Sequence, residues 1–333
     1  MSGGSIATRA TTFEQGGSKT VMTRSLFAAI GIVWAIAITP LTASAADAEI
    51  KIGFAVANLR ANFFHQIKES IEKAGKEAGV TVITVDADGD PATQVNQVLN
   101  LLIDPNIAAL IYIPTGSISA ALPLVAAKAV GIPTVAIDRN PPGSPADTFI
   151  ASDSVTGART LGAWVVQQVG GIGKVAIIQG QLGTTPELDR DQGFNEALAE
   201  APGMQVVTKQ ASAAWQQDEG FAITQDILQR DPSITVIFGR ADALALGAAQ
   251  AVKLAHLDHK VLVVGFDGDV TGLKAIQNGV LDATMTQRPQ QIGRMALHSA
   301  LDLIAHKPVP PVQLQQTTLT TRENVAQFID NHP

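Results

Sequence analysis

The chain has 333 residues, 46% of them hydrophobic and only 5% aromatic, enough for two α/β domains with aliphatic cores. Its formal net charge of −7 argues against a broad surface for nucleic acid or anionic membrane. It has no cysteine, which excludes disulfides, thiolate metal sites and cysteine nucleophiles together.

At the amino terminus, Lys19 and Arg24 precede an apolar run of 13 residues from Leu26 to Ile38, followed by Pro40 and the small-residue site Ala43-Ser44-Ala45. This pattern predicts a secretory signal peptide within residues 1–45; a membrane span would need about 20 apolar residues. Met22 is the more ordinary start, so residues 1–21 read as an over-extended beginning. No cysteine follows the cleavage site, so the expected product is periplasmic and not a lipoprotein.

From Ile50 onward, apolar strands and amphipathic helices alternate. The first half predicts strands at Ile50–Val56, Val80–Val85, Ala108–Ile113 and Thr134–Ile137. Helices are expected over Asn62–Ala78, Pro91–Ile103 and Ser117–Val130. Phe64, Ile67, Ile71 and Ala74 mark the buried face of the first helix, and Gly79 ends it. A second series begins after Ile150-Ala151-Ser152-Asp153. It predicts helices at Ser154–Val169, Glu187–Glu200, Asp218–Arg230, Asp242–Leu254, Val270–Asn278 and Gln290–Ala305. Its strands are Lys174–Ile178, Met204–Gln210, Thr235–Phe238, Val261–Phe266, Leu281–Thr286 and Thr317–Thr321. Such alternation implies two parallel sheets, each covered by helices on both faces.

The catalytic motifs are missing. There is no phosphate-binding loop, no nucleophile elbow, no dinucleotide fingerprint after the first strand and no His-Glu-x-x-His. His256 and His259 sit in a polar loop, and a metal site needs more ligands than two. No cofactor or metal is therefore expected. Carboxylates at several strand tips leave a glycosidase pair open on spacing alone.

What stands at the carboxyl ends of the strands suits a polyhydroxylated molecule. Asp138-Arg139 and Phe266-Asp267 end two apolar strands of one style, and ligands of open α/β sheets bind at that edge. Phe63, Phe64 and Trp215 offer flat walls, while Arg190 and Gln287 add hydrogen-bonding groups. Read alone, Asp267 would serve equally well as the cap of the helix starting near Val270.

The stretch from about Ile50 to Val325 resembles the periplasmic solute-binding proteins of the ribose-binding type, the sugar receptors of ABC importers. The segments that carry the likeness are Asn62-Phe63-Phe64, Ile137-Asp138-Arg139, Ile150–Asp153, Arg190 with Gly193-Phe194, Ala243–Ala248, Val263–Gly268, Ala283–Gln287, Pro289–Gly293 and Thr321–Val325. They occur in the family's order and spacing.

The resemblance implies two Rossmann-like lobes joined by a three-crossover hinge, the type I periplasmic binding protein fold. It assigns 46–152 plus 288–316 to an N-terminal lobe and 153–287 plus 317–333 to a C-terminal lobe. It implies that Phe63, Phe64, Phe266 and Trp215 contact the sugar ring and that Asp138, Arg139, Arg190, Asp267 and Gln287 hold its hydroxyls. The expected partners of this monomer are a small carbohydrate and the permease subunits, with a chemoreceptor in a signalling version. A receptor for a furanosyl signal would share this fold. A repressor's effector domain would too, but it requires a helix-turn-helix where this chain shows a signal peptide.

The chain departs from ribose receptors at Ala57, Ala61 and Ala241, where they carry polar side chains. A site that loses a hydroxyl partner no longer reads that hydroxyl. This points away from ribose itself, towards a larger sugar, a deoxy sugar or a smaller polyol. Asn58 and Arg240, the other residues expected along the pocket, are the candidates to compensate.

Overall fold

The computed structural model describes residue 16 and residues 50–116, 120–329 and 331–332. The expected signal peptide lies outside the described residues, apart from Gly16. Among the described residues, no helix is long and apolar enough to cross a membrane.

The first run comprises β1 (Lys51–Val56), α1 (Asn62–Ala78), β2 (Thr81–Asp86), α2 (Pro91–Ile103), β3 (Ile107–Tyr112), α3 (Ala121–Ala129), β4 (Thr134–Ile137) and β5 (Thr148–Ser152). The second comprises α4 (Ser154–Gln168), β6 (Ile172–Gln179), α5 (Thr185–Ala199), β7 (Gly203–Ala211), α6 (Gln217–Arg230), β8 (Val236–Gly239), α7 (Asp242–Ala255), β9 (Leu262–Val264), α8 (Val270–Gln277) and β10 (Ala283–Thr286). The chain then forms α9 (Pro289–Ile304), β11 (Val312–Gln315), β12 (Thr318–Thr321) and α10 (Ala326–Ile329).

Two six-stranded sheets result, with orders β11-β5-β4-β3-β1-β2 and β12-β10-β9-β8-β6-β7. The strands are apolar because helices bury both faces: Ile52, Phe54, Ala55 and Val56 of β1 are all fully enclosed. α9 packs on α1 and on β3, β4 and β5, whereas α4 packs on α5, β10 and β12. The backbone thus passes from one sheet to the other three times, between β5 and α4, between β10 and α9, and between β11 and β12.

Four sequence expectations need correction. Two strands, β5 and β11, went unforeseen. Both are short edge-side strands beside proline-rich segments, Pro141–Pro145 and Pro308–Pro311, which read as loop. The second sheet is not wholly parallel, since β12 runs antiparallel to β10. Only two residues separate β11 from β12, so β12 enters its sheet from the edge where β11 ends and must run back. The short helix α10 was also missed. Finally, α3 starts at Ala121, and residues 117–119 of its expected span lie outside the described residues.

Strand and helix ends follow ordinary local rules. Gly79 takes φ 70° to close α1. The Asp90 side chain accepts from the Ala92 and Thr93 amides to open α2, where Pro91 is the first helical residue.

Candidate functional site

At the carboxyl ends of both sheets lies a cavity of about 180 Å³. Asn58, Ala61, Phe63, Phe64, Asp138 and Arg139 line it from the first lobe, and Arg190, Trp215, Ala241 and Asp267 from the second. All ten were singled out in the sequence as binding or pocket-lining residues.

The first side is built from one strand tip and one helix start. Past the end of β4, Asp138 has φ 62°, and the Arg139 amide reaches back to the Ile137 carbonyl to close a three-residue turn. A left-handed aspartate is costly backbone, and here it aims neighbouring acidic and basic side chains into one space. Arg139 Nε stands 3.6 Å from Asp138 Oδ2. Its Nη1 donates to the Pro114 and Thr115 carbonyls at 3.0 and 2.8 Å and to Gln181 Oε1 of the second lobe at 3.2 Å. The guanidinium lies 5.6 Å from the centroid of the Phe64 ring. The Phe63 and Phe64 rings are tilted by 53° to each other with centroids 5.7 Å apart. The Asn58 side chain accepts from the Ala61 amide at 3.0 Å and so fixes the approach to α1.

The second side gathers groups from several elements. Asp267 follows β9, with φ 138°, another strained position. Arg190 projects from α5, and its Nη2 stands 3.4 Å from Asp267 Oδ1. The Arg190 guanidinium rests 3.9 Å from the centroid of Phe266 and 5.7 Å from that of Trp215. Gln287, just past β10, donates from Nε2 to Asp267 Oδ1 at 2.8 Å. Trp215 is itself left-handed, with φ 62°. Its ring lies flat against Gly180, where an added Cβ would come within 1.9 Å of it. Only glycine permits that approach.

Burial shapes the charges. Desolvation pushes the Asp138 carboxyl upward, against the pull of Arg139 and Arg190. Asp267 is pushed up to about 7 by desolvation, with Asp269 and Asp138 adding repulsion and Arg190 opposing it. Burial also lowers Arg139 from its ordinary value, while Asp138 works the other way. The charged lining residues are Arg60, Arg139 and Arg190 against Asp138, Asp267 and Asp269. Their formal charges cancel, which suits an uncharged molecule. Arg190 Nε and Trp215 Nε1, both on residues that line the cavity, are buried without a hydrogen-bond partner. Such groups are costly to leave unpaired and ask for a polar ligand.

Four expected positions lie elsewhere. Ala57 is 1% exposed within the first lobe's core, and its carbonyl accepts from the Gly89 amide. Phe266 is completely buried under the Arg190 guanidinium, as a floor beneath the polar group. Gln287 is also enclosed and stands behind Asp267. Arg240 points away into the second lobe, onto Glu187 and Asp191. It cannot replace a lost hydroxyl contact at Ala241. The cap of α8 is Asp269, which accepts from the Gly272 amide, so Asp267 is free of that role.

The sequence reading missed several wall residues: Arg60, Asn62, Pro186, Gln216 and Asp269. Asn62 adjoins the recognised Phe63 and Asp269 adjoins Gly268, so adjacency was the available signal. Gln216 likewise adjoins Trp215, whereas Pro186, in the first turn of α5, had no such signal and reaches the cavity only through tertiary folding.

The profile of the periplasmic binding protein domain family matches residues 52–308. Ribose import binding protein RbsB of Bacillus subtilis is 36% identical over 261 residues, covering 78% of this chain and 84% of that protein. RbsB of Escherichia coli is 31% identical over 269 residues, covering 81% and 90%. A solved ABC transporter solute binding protein from Bacillus halodurans C-125 with bound myo-inositol shares a TM-score of 0.80 at 25% identity, covering 86% of this chain and 99% of that one. The Caulobacter myo-inositol binding protein bound to myo-inositol gives a TM-score of 0.78 at 28% identity, covering 84% and 95%. These relatives are binding proteins rather than enzymes. The chain belongs to the periplasmic binding protein family, and within it to the ribose-binding type.

Proposed function

We propose that the protein binds one uncharged monosaccharide or small polyol between its lobes and hands it to the permease of an ABC importer. The observation that carries this reading is the pairing of Asp138-Arg139 with Arg190-Asp267 around one cavity walled by Phe63, Phe64 and Trp215. Carboxylates accept from neighbouring hydroxyls and guanidinium forks donate to them, while aromatic faces cover the C–H faces of a ring. Relatives named for ribose, D-allose and xylitol support the ligand class.

The two lobes, 46–152 plus 288–316 and 153–287 plus 317–333, act as rigid jaws that close on the ligand about the three strand passages. Ligand contacts to both jaws favour the closed arrangement, which is the form that docks on the permease. Binding involves no bond-breaking, so no glycoside is turned over. The protein works as a periplasmic monomer without a lipid anchor. Ala61 and Ala241, both at the cavity, decide which sugar fits, because each leaves one direction of the ligand without a polar partner.

The test is calorimetric titration of the purified protein with D-ribose, D-allose, xylitol, myo-inositol and L-arabinose. At least one should bind saturably with one site per chain. Absence of saturable heat from every member would overturn the reading. Ala61→Asn and Ala241→Asn should each reorder the panel.

A further inference from the structure

Arg240 is the largest fully buried side chain among the described residues, and it does not line the cavity. It sits just past β8, and its guanidinium turns back onto α5. Nη1 donates to the Glu187 carbonyl at 2.9 Å and to Glu187 Oε1, and Nη2 donates to Asp191 Oδ1. Glu187 and Asp191 flank Arg190 on the same helix, three residues before it and one after. The backbone carbonyl of Arg240 meanwhile accepts from Arg190 Nη1. One buried residue therefore grips the helix turn that carries Arg190 and also the far end of the Arg190 side chain.

The remaining bonds of this group close on the same region. Glu187 Oε1 also accepts from Gln179 Nε2 at 2.8 Å, and Glu187 Oε2 from the Gly180 amide at 2.8 Å. Asp191 is further paired with Lys209 Nζ at 2.7 Å. Two acids thus answer Arg240, and the network ties β6, β7 and β8 to the start of α5. A buried ion pair is weak evidence for net stability, since apolar residues often replace one without loss. What this one fixes is geometry. Arg190 must hold its place between Phe266 and Asp267, 3.9 and 3.4 Å away, to present the rest of its fork to a ligand.

We propose that Arg240 is a positioning residue for Arg190: through Glu187, Asp191 and its own carbonyl it sets the Arg190 guanidinium at the cavity without touching the ligand. This rests on the sugar-binding reading above. The test uses the full chain and the tightest-binding member of the titration panel as probe. Arg240→Gln removes the guanidinium's hold on Glu187 and Asp191, keeps the main-chain carbonyl, and leaves Glu187 buried and uncompensated. The double variant Arg240→Gln/Glu187→Gln removes the charge of both and guards against simple failure to fold.

The double variant should bind about 30-fold more weakly while melting as one cooperative transition, whereas in an Arg190→Lys background the same change should cost less than about threefold. Arg240→Lys should restore only part of the affinity, because an ammonium cannot bridge both acids as a planar fork does. Equal losses in the two backgrounds would overturn the inference and leave Arg240 a merely structural residue. Wild-type affinity in the double variant would overturn it as well. Failure of the wild-type protein to bind any panel member would instead remove the sugar-binding reading, and this inference with it.

Discussion

The two sides of the cavity perform one task with different construction. On the first side, acid and base are chain neighbours, Asp138 and Arg139, and the base is steadied by main-chain carbonyls of Pro114 and Thr115. On the second, Arg190 comes from α5, Asp267 follows β9 and Gln287 follows β10, so side chains from separate elements steady one another, with the Arg240 carbonyl accepting from Arg190. The first side is local and robust to distant change. The second is a tertiary assembly, with Phe266 below it and Arg240 behind it, and is exposed to substitutions that never meet the ligand.

Arg190→Ala should break the second side most severely. It strands Asp267 in a buried position without its cation, and losses of about 3–4 kcal/mol, several hundredfold in Kd, are expected by calorimetry. Asp138→Asn tests the first side. The amide keeps the shape but gives up a charged acceptor, so affinity should fall roughly 10- to 100-fold. Were Asp138→Asn to cost as much as Arg190→Ala, the contrast between local and assembled sides would collapse.

Gly180→Ala attacks the second side from outside the cavity. Its methyl group would occupy space now filled by Trp215, which must then leave its platform. Overpacking of this kind costs about 1–3 kcal/mol, so a roughly tenfold loss of affinity and a lower Tm should appear together. Combining it with Trp215→Ala should add little further loss of affinity.

A different readout, stability against pH, tests the second side without ligand. Asp267 titrates near 7 in the folded chain and from an ordinary value of 3.8 when unfolded. Between those values the folded state holds the extra proton, so stability falls as pH rises from about 4 to about 7 and then levels off. Asp138, Asp189, Glu187 and Asp242 are also raised and act in the same direction. Asp267→Asn should flatten the decline of ligand-free Tm over that range; an unchanged slope would show that the others dominate.

The same contrast explains what could be read from the chain alone. Alternating apolar strands and amphipathic helices exposed the two-sheet α/β plan, because burial on both faces leaves little choice of residue. Asp138-Arg139 was legible as an acid and a base ending a buried strand. Arg190 and Trp215 were legible as a donor and a flat wall near predicted strand ends, but their joint role came from likeness to a family, since nothing local in α5 or after β7 joins them to Asp267. The direction in which Arg240 turns was not legible. It depends on Glu187 and Asp191, about 50 residues away, which only the folded chain brings to it. Likewise β11 reads as a proline-flanked loop until β5 offers it an edge.

Two lobe-to-lobe contacts have a consequence for evolution. Arg139 reaches Gln181 at 3.2 Å, and the Asn140 amide donates to Thr185 Oγ1 at 2.9 Å. Neither Gln181 nor Thr185 lines the cavity. These clasps reward closure whatever molecule is inside, so they scale the affinity for every ligand by a common factor. Thr185→Val should weaken all members of the titration panel about fivefold, near 1 kcal/mol, and leave their ranking unchanged. The protein thus has a gain control separate from its choice of sugar. Its setting is bounded from above, because clasps strong enough to close the empty receptor would send it to the membrane without cargo.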